Sequence, residues 1–544
     1  MIVSLLCVGA FHEYISCMLS VAMLLWLAVQ SVRNRQIRFC FNVISLCVIG
    51  IVLFYALSAF WAVDTGMALI GFVKYLPVLL YLLLLQQKSS PDRMLSRLPF
   101  VAAVMTVLSV IAMQIPVLAP YVSVSGRLAG FFEYPNTFAL FLLVSELIVI
   151  AKEKYRAADA AVIAVLLFGL LYSGSRTVFV LAVLSNAVLI FTGKNKRVKI
   201  SVAALIALLV IGFAVYFILS GKTSAFGRFL TISLNESTFV GRLLYFKDAL
   251  PVILRHPFGL GYMGYYDIQQ SIQTGVYSVM FVHNDFLQLM LDIGWLPAIL
   301  FIAAMIKSIF SGKKPFYKRV ILGVMALHGC FDFNLQFVSM FMLLLLFTDY
   351  AAGKEYVVKP HGAIVGVCSF LAAVSLYFGT SLTLSHFGAY QAAFSVYPLD
   401  TRSEVQLLIK ETNLQKADAM ADDILSRNEY VTVAYSVKAR YAYSKGDFAK
   451  VIEYKKQIFD RATFAYEEYE EYCYMLINGI SLYRQAGDTY SAQICAKELK
   501  AAANSVHTAE KRLSSLGAEI KDQPETQLPE DIEKYLESEV NQEK

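Results

Sequence analysis

Residues 39–60 of the chain read FCFNVISLCVIGIVLFYALSAF and contain no charged side chain. A helix needs roughly 20 mostly apolar residues to cross the hydrocarbon core of a bilayer, so this stretch predicts a membrane-spanning helix. Residues 33–38, which come directly before it, read RNRQIR. Because Lys and Arg are retained on the cytoplasmic side of the membrane, we expect the helix to begin at the cytoplasmic face.

Similar apolar stretches recur as far as Leu384, for example at residues 67–85, 98–120, 201–219 and 362–384. The whole chain has 544 residues, of which 58% are apolar and 16% are charged. A water-soluble fold of this composition would have too little polar surface to cover itself. We therefore predict an all-α polytopic membrane bundle of about 12 transmembrane helices in residues 1–385. The apolar N-terminal segment has no basic residues ahead of it and does not resemble a cleavable signal peptide.

The basic residues of the connecting segments fall at alternate turns, which fixes one orientation for the bundle. The segments that this orientation assigns to the cytoplasm are residues 33–38, 88–97, 152–156, 194–199, 313–319 and 354–359. The turn near Asp64 and residues 123–136, 173–176, 220–282 and 331–334 then face outward. The net charge of +6 follows from this retention bias, so it gives no support for nucleic-acid binding.

The composition changes after Leu384, where polar residues alternate with apolar ones at helical spacing. Turns at Gly446-Asp447 and Gly487-Asp488 separate helical segments, so residues 391–515 resemble tetratricopeptide-like hairpins outside the membrane, although the interval between the turns is long for that repeat. A helical bundle without a ligand is the alternative. Cys473 and Cys495 are able to pair if their helices are antiparallel neighbours in an oxidising compartment. Residues 520–544 are rich in Pro, Glu and Gln and predict a solvated, disordered acidic tail.

Several arginines lie in the segments that are expected to face outward. They are Arg127 near an apolar helix, Arg176 in the turn SGSRT at residues 173–177, and Arg242 at the start of an amphipathic segment. Basic residues on this side oppose the insertion bias, so several of them together indicate an anionic partner. Arginine suits phosphate because its planar fork donates paired hydrogen bonds. Taken singly, each arginine is also explained by a lipid headgroup or a loop salt bridge.

Residues 282–295 read VHNDFLQLMLDIGW and return the long outward loop to apolar sequence. His283 and Asn284 are therefore held at a membrane boundary, beside a loop that carries further basic residues. The chain has no zinc-ligand, P-loop or nucleophile-elbow spacing, so the sequence predicts neither a metal site nor a cofactor.

The outward motifs occur in a recognisable order: RLAGFFEYPN at residues 127–136, SGSRT at 173–177, Gly241-Arg242, HPFGLG at 256–261, and HNDFLQ at 283–288. In this order they resemble the O-antigen ligase and polymerase superfamily of bacterial membrane glycosyltransferases, across roughly residues 39–350. The resemblance implies transfer of a glycan from an undecaprenyl-diphosphate carrier to an acceptor on the outer face of the plasma membrane. The implied acceptor is a lipid, a wall polymer or a protein. Asp292 departs from the family pattern, which often has glutamate there, and we give it no catalytic role.

The resemblance places chemistry on particular residues. His283 is the candidate to accept or steer the acceptor's proton, because imidazole titrates near neutral pH, and Asn284 is expected to orient it or bind sugar. The candidates for a cationic clamp on the diphosphate are Arg242 and Arg176, with Arg127 as a third.

Three further polar residues are candidate contributors to the site. His328 and Asp332 are four residues apart, as on one helix face, and are expected to buttress the site or each other. Lys74 lies within an apolar run and either faces the bundle interior or extends to the interface.

Three functions fit the sequence. A ligase would move a finished glycan to a terminal acceptor, a polymerase would join repeat units on their lipid carriers, and a transporter would move lipid-linked glycans across the membrane. A transporter should have matching broken helices in two halves, which the sequence does not indicate. The soluble C-terminal segment favours a macromolecular acceptor and hence the ligase.

Overall fold

The computed structural model describes residues 1–87, 92–192, 203, 237–359 and 361–542. The predicted span at residues 201–219, apart from residue 203, and the first part of the long loop at residues 220–236 lie outside the described residues. The protein is 74% helical with few strands. The prediction of an all-α fold is therefore confirmed.

Within the described residues, five helices are long and apolar enough to cross a membrane. They are Glu13–Asn34, Val43–Phe60, Thr65–Gln86, Arg93–Ala112 and His361–His386. Shorter apolar helices are Pro135–Ile150, Ala157–Tyr172, Arg176–Thr192 and Trp295–Phe310. These helices fit the predicted polytopic membrane protein.

The chain divides into two compact units. The bundle unit comprises Met1–Leu57, Ile70–Ser233 and His283–Leu382. The C-terminal unit comprises Ser58–Leu69, Leu234–Val282 and Thr383–Lys544. Two segments that the sequence assigns to the transmembrane domain therefore belong to the same compact unit as the C-terminal helices.

The bundle unit is built from apolar helices and two small antiparallel sheets. Its helices are α1 (Ile2–Leu6), α2 (Glu13–Asn34), α3 (Val43–Leu57), most of α4 (Thr65–Gln86), α5 (Asp92–Leu95), α6 (Leu98–Ala112), α7 (Ala119–Val122), α8 (Pro135–Ile150), α9 (Ala157–Tyr172) and α10 (Arg176–Thr192). Its strands are β1 (Ile37–Phe41), β2 (Ser123–Val124), β3 (Arg127–Leu128) and β4 (Lys354–Val358). Strand β1 pairs with β4, and β2 pairs with β3.

The remaining helices follow in chain order in the two units. The C-terminal unit contains α11 (Ser237–Arg255) and α12 (Gly264–Ile272), and the bundle unit contains α13 (Asp285–Ile293), α14 (Trp295–Phe310), α15 (Phe316–Gly329), α16 (Val338–Leu345) and most of α17 (His361–His386). The rest of the C-terminal unit consists of α18 (Tyr390–Val396), α19 (Thr401–Lys410), α20 (Leu414–Arg427), α21 (Thr432–Ser444), α22 (Phe448–Arg461), α23 (Tyr466–Gln485), α24 (Thr489–His507), α25 (Ser515–Glu519) and α26 (Glu530–Gln542).

The β1–β4 sheet joins two of the basic segments that the sequence assigns to the cytoplasm. Ile37 is opposite Val358 and Phe41 is opposite Lys354. The end of α4 is held beside this sheet, because the side chain of Gln87 accepts a hydrogen bond from the backbone N–H of Arg38 at 2.9 Å. Two segments that were expected on one side of the membrane are therefore brought together within the bundle unit.

The C-terminal helices form hairpins with turns at the two expected Gly-Asp pairs. Gly446 and Gly487 have φ values of +73° and +76°, a region that glycine enters without steric penalty. Asp447 and Asp488 then cap the next helices by accepting hydrogen bonds from the backbone N–H groups of Lys450 and Ser491. Helix α21 packs against α22, and α23 packs against α24. Whether the hairpins are tetratricopeptide-like stays a prediction.

The prediction of a disordered acidic tail at residues 520–544 is wrong for residues 528–542, which are ordered. Helix α26 lies there, and Leu528 and Ile532 belong to a buried apolar cluster with residues of α23 and α24. Burial of these two side chains, with Tyr535 and Leu536 packed against the same cluster, stabilises this segment despite its acidic composition. Cys473 and Cys495 are buried in the same cluster as free thiols.

Hydrogen bonds within the C-terminal unit join its three chain segments. The Tyr397 hydroxyl donates to the carbonyl of Gly66 at 2.9 Å. The Asn428 side-chain amide donates to Asp267 at 3.0 Å and to Asp64 at 3.4 Å. The backbone N–H of Ser514 donates to the carbonyl of Thr274 at 2.9 Å. The C-terminal helices thus hold both the turn at Asp64 and the long loop.

Candidate functional site

Helix α13 positions His283. The Asn284 side chain caps the helix, because its oxygen accepts hydrogen bonds from the backbone N–H groups of Phe286 and Leu287 at 3.0 and 3.1 Å. Its amide nitrogen donates to the carbonyl of Cys330 at 2.9 Å. Asn284 therefore fixes the start of the helix, and its expected contact with sugar stays a prediction.

His283 lies directly before this cap with a φ of +55°. A side chain other than glycine is strained in the left-handed region, by on the order of 1 kcal/mol, and persists there only where its surroundings hold it. Such residues cluster at functional sites. The Nδ1 atom of His283 lies 3.5 Å from Oδ1 of Asp332, and the imidazole packs edge-on against the ring of Phe333 with centroids 4.9 Å apart.

Asp332 is 1% exposed, and its carboxylate is the centre of the polar contacts around His283. The Tyr134 hydroxyl and the Asn136 amide each donate a hydrogen bond to it at 2.8 Å. The backbone N–H of Phe333 donates at 3.0 Å. A buried carboxylate with several donors is held in one position, and it presents an oxygen to Nδ1 of His283.

Arg127 continues the polar contacts away from His283. Its Nη2 donates to the side-chain oxygen of Asn136 at 2.8 Å, and its Nε donates to the carbonyl of Ser173 at 2.8 Å. A continuous polar chain therefore runs from His283 through Asp332, Asn136 and Arg127 to Ser173. It connects three of the motifs that the sequence singled out, which lie far apart along the chain.

The aromatic side chains beside His283 form a small cluster. The rings of Tyr134 and Phe333 have centroids 4.8 Å apart, and both lie near Phe337, which is buried. The Tyr134 and Phe333 rings are partly exposed. The sequence gives no separate indication of a role for Tyr134 and Asn136 beyond their position in the motif at residues 127–136.

His328 and Asp332 are not on one helix face, as their spacing had suggested. Helix α15 ends at Gly329, so Asp332 lies in the turn that follows it. His328 is fully buried and its Nδ1 lies 3.0 Å from the side-chain oxygen of Asn334. The amide of Asn334 donates in turn to the buried Asp285 at 3.3 Å. His328 thus supports the first turn of α13.

Lys74 is 1% exposed, so it faces the interior of the bundle unit and does not extend to the interface. Its Nζ lies 5.1 Å above the ring of Phe11, and its charge interacts with Asp292. Asp292 accepts hydrogen bonds from the Tyr55 hydroxyl and the Gln288 amide, each at 2.8 Å. These contacts tie α13 to α3 and α4. A role of Lys74 in substrate binding stays a prediction.

The two other candidate arginines, Arg176 and Arg242, lie near the N-terminal ends of two different helices. Arg176 is the first residue of α10 in the bundle unit, and it is partly exposed. Arg242 is a partly buried residue of the first turns of α11 in the C-terminal unit. Its charge acts on Tyr245, whose ring lies 4.6 Å from that of Tyr277.

The helix α11 that carries Arg242 is anchored at Asp248, nearly two turns further on. The Asp248 carboxylate accepts hydrogen bonds from the backbone N–H and the hydroxyl of Thr274, at 2.8 and 2.7 Å. It also accepts one from the Tyr277 hydroxyl at 2.9 Å. Among the described residues, no group of His, Cys, Asp and Glu side chains is arranged to hold a metal ion.

The family model of the O-Antigen ligase matches residues 161–302. This segment contains four of the five motifs, including Arg176, Arg242 and His283, whereas Arg127, Asn136 and Asp332 lie outside it. None of the curated proteins compared with the chain matches it. The family match confirms the resemblance of this chain to the O-antigen ligase superfamily, and it supports a membrane glycosyltransferase of the ligase or polymerase type.

Proposed function

We propose that this protein transfers a glycan from an undecaprenyl-diphosphate carrier to a hydroxyl or amide acceptor on the outer face of the bacterial plasma membrane. The observation that carries the proposal is the polar chain from His283 through Asp332 and Asn136 to Arg127. It joins His283, a residue suited to proton transfer, with Asn136 and Arg127 of a second motif through the buried Asp332.

In this mechanism the acceptor oxygen or nitrogen attacks C1 of the transferred sugar, and the bond from C1 to the diphosphate oxygen breaks. His283 takes the proton that the acceptor loses. Asp332, 3.5 Å from Nδ1, orients the imidazole and stabilises the positive charge that forms on it. The same division of roles between a base and an orienting carboxylate recurs in unrelated hydrolases.

The diphosphate leaving group gains negative charge as the bond breaks. Arginines already in place stabilise this charge without reorganisation, and we assign Arg242 and Arg176 to this clamp. Two of the N–H donors of Arg127 bond to protein oxygens. We therefore assign Arg127 mainly to holding Asn136, and through it Asp332, in position.

The proposed topology places the C-terminal unit outside the cell. Its three segments are the turn near Asp64, the long loop and the C-terminal helices, and the charge pattern assigns all three to the outer side. The basic segments at residues 33–38 and 354–359, paired through the β1–β4 sheet, are assigned to the cytoplasm. The proposed domain arrangement is a transmembrane domain at residues 1–385 followed by an extracytoplasmic helical domain.

Deletion of the gene, followed by analysis of surface glycans, tests the function. A ligase mutant should accumulate complete glycan on its lipid carrier. A polymerase mutant should instead carry single repeat units, and this outcome would replace the ligase assignment. Normal surface glycan, with no lipid-linked intermediate, would contradict both. Complementation with His283→Ala should leave the lipid-linked glycan in place, whereas the wild-type gene should clear it.

A further inference from the structure

Helix α11 in the C-terminal unit has two apolar faces. One face packs inside the unit, where Leu244 and Ala249 are fully buried and Ile253 is 5% exposed. The other face carries Leu250 and Leu254, which are 48% and 68% exposed. A helix that is apolar on both sides usually has an apolar environment on both sides.

The exposed face continues into the residues after the helix. Phe258 is 62% exposed, and its ring lies 5.8 Å from that of Trp61, while the Trp61 indole N–H donates a hydrogen bond to the carbonyl of Phe258 at 2.9 Å. The backbone N–H of Val63 also donates to the carbonyl of Leu260 at 2.9 Å. The end of α11 is therefore fixed to residues 61–63.

The position of Trp61 in the chain indicates where this face of α11 lies relative to the membrane surface. The candidate span Val43–Phe60 ends immediately before it, and Phe60 is 85% exposed. Tryptophan is enriched at the ends of membrane spans, where its amphipathic ring lies at the level of the lipid headgroups. Because Phe258 contacts Trp61, a Trp61 side chain at that boundary would bring the exposed apolar face of α11 to it as well.

Basic side chains accompany the apolar ones. Lys247 lies between Leu243 and Leu250 on the exposed face, and Arg255 and His256 follow Leu254. All three basic residues are exposed. Long basic side chains on an interfacial helix extend from the apolar stripe to the phosphate groups of lipids. The combination of a stripe of leucine with flanking lysine and arginine is typical of helices that lie in the membrane plane.

We propose that α11 lies in the plane of the membrane and docks Leu250, Leu254 and Phe258 into the outer leaflet, with Lys247 and Arg255 on phospholipid phosphates. The partner of this surface is the bilayer itself. The choice of leaflet rests on the proposed topology, whereas the docking rests on the contacts of α11 and Trp61. The docking does not depend on glycan transfer, so its test needs no sugar substrate.

Tryptophan fluorescence tests the docking in the full chain, reconstituted into vesicles of phosphatidylethanolamine and phosphatidylglycerol. The variant is Leu254→Trp and the matched control is Tyr490→Trp, an exposed position on α24. The wild-type signal of the three native tryptophans is subtracted. Lipids brominated on their acyl chains should quench the added fluorescence at position 254 and leave that at 490 unchanged, and aqueous iodide should do the reverse.

Quenching of position 254 by iodide, to the same extent as position 490, would mean that the face meets water and would overturn the proposal. Protection of position 254 from both quenchers would mean that protein covers the face, as in a dimer of this chain, and would also overturn it. If Leu254→Trp does not accumulate in the membrane, Leu250→Trp on the same face takes its place.

Discussion

Replacing Asp332 with Asn separates the electrostatic role of this residue from its role in packing. The change keeps the size of the side chain but removes its charge. Asp332 accepts hydrogen bonds from Tyr134, Asn136 and the backbone N–H of Phe333, so the new amide must place an N–H group against a donor. Asn136 cannot reverse its own amide without losing the bond from Arg127.

The magnitudes favour a loss of activity over a loss of folding. One buried donor without a partner destabilises a protein by about 1–3 kcal/mol, which is less than a typical free energy of unfolding of about 5–15 kcal/mol. Loss of a positioned proton-transfer group lowers the rate by about a hundredfold to ten-thousandfold. Asp332→Asn should therefore insert at close to normal levels and transfer glycan at a rate reduced by about a hundredfold or more.

The assay measures transfer from lipid-linked glycan in membrane vesicles, normalised to the amount of protein. When two residues act as one unit, the effects of their substitutions on the rate are not additive. The double variant His283→Ala with Asp332→Asn should therefore be about as inactive as the less active single variant. Asp349→Asn is the control, because it removes a carboxylate paired with Lys314 at 3.1 Å, away from the polar chain. If the double variant showed the product of the two single rate reductions, His283 and Asp332 would not act as one unit. Near-normal transfer by Asp332→Asn would also refute the role of Asp332 in proton transfer.

The remaining predictions concern the clamp, the loop and the topology. Cells with Arg242→Ala should accumulate lipid-linked glycan although the protein is present at its normal level. Arg242→Lys should restore transfer only in part, because an ammonium cannot donate paired hydrogen bonds as a guanidinium does. Full restoration by Lys in the vesicle assay would contradict the clamp. Burial, and next the Asp64 carboxylate, raise the pKa of Asp267 to about 7. Between about pH 4 and pH 7 the folded state therefore keeps a proton that the unfolded state has lost, so the stability of the protein should fall as the pH rises through this window. Thermal unfolding in detergent measures this, and Asp267→Asn should make the stability less dependent on pH. Reporter domains fused after Arg402 or inserted near Thr274 should be extracytoplasmic, and cytoplasmic signal from either would overturn the orientation.

The membrane helices and the hairpin turns were predictable because local sequence determines them. A charge-free stretch such as residues 39–60 has few stable environments other than a bilayer, and Gly446-Asp447 ends one helix and caps the next. The tail at residues 528–542 was mispredicted because its acidic composition is typical of disordered segments. Its order depends on the packing of Leu528 and Ile532 against apolar residues that are distant in the sequence. Composition carries no information about such tertiary contacts.

The candidate site was predictable only as a set of residue types. The charge pattern and the motif order singled out His283 and Arg127, but not the residues that connect them. The contact between Asn136 and Asp332 joins positions 196 residues apart, and the contact between Tyr134 and Asp332 joins positions 198 apart. Spacing along one sequence cannot indicate contacts over such separations. For the same reason the spacing of His328 and Asp332 suggested a shared helix that ends before Asp332.

The long-range bonds of the C-terminal unit bear on how the protein is made. Asp64 bonds to a residue 364 positions later, and Thr274 bonds to a residue 240 positions later. At about 5–20 residues per second, synthesis of those 364 residues takes on the order of 20–70 s. For that time the turn and the long loop lack the helices that hold them. Maturation of this unit is therefore a late step, which waits for synthesis of the C-terminal helices and leaves the nascent loop open to chaperones and proteases.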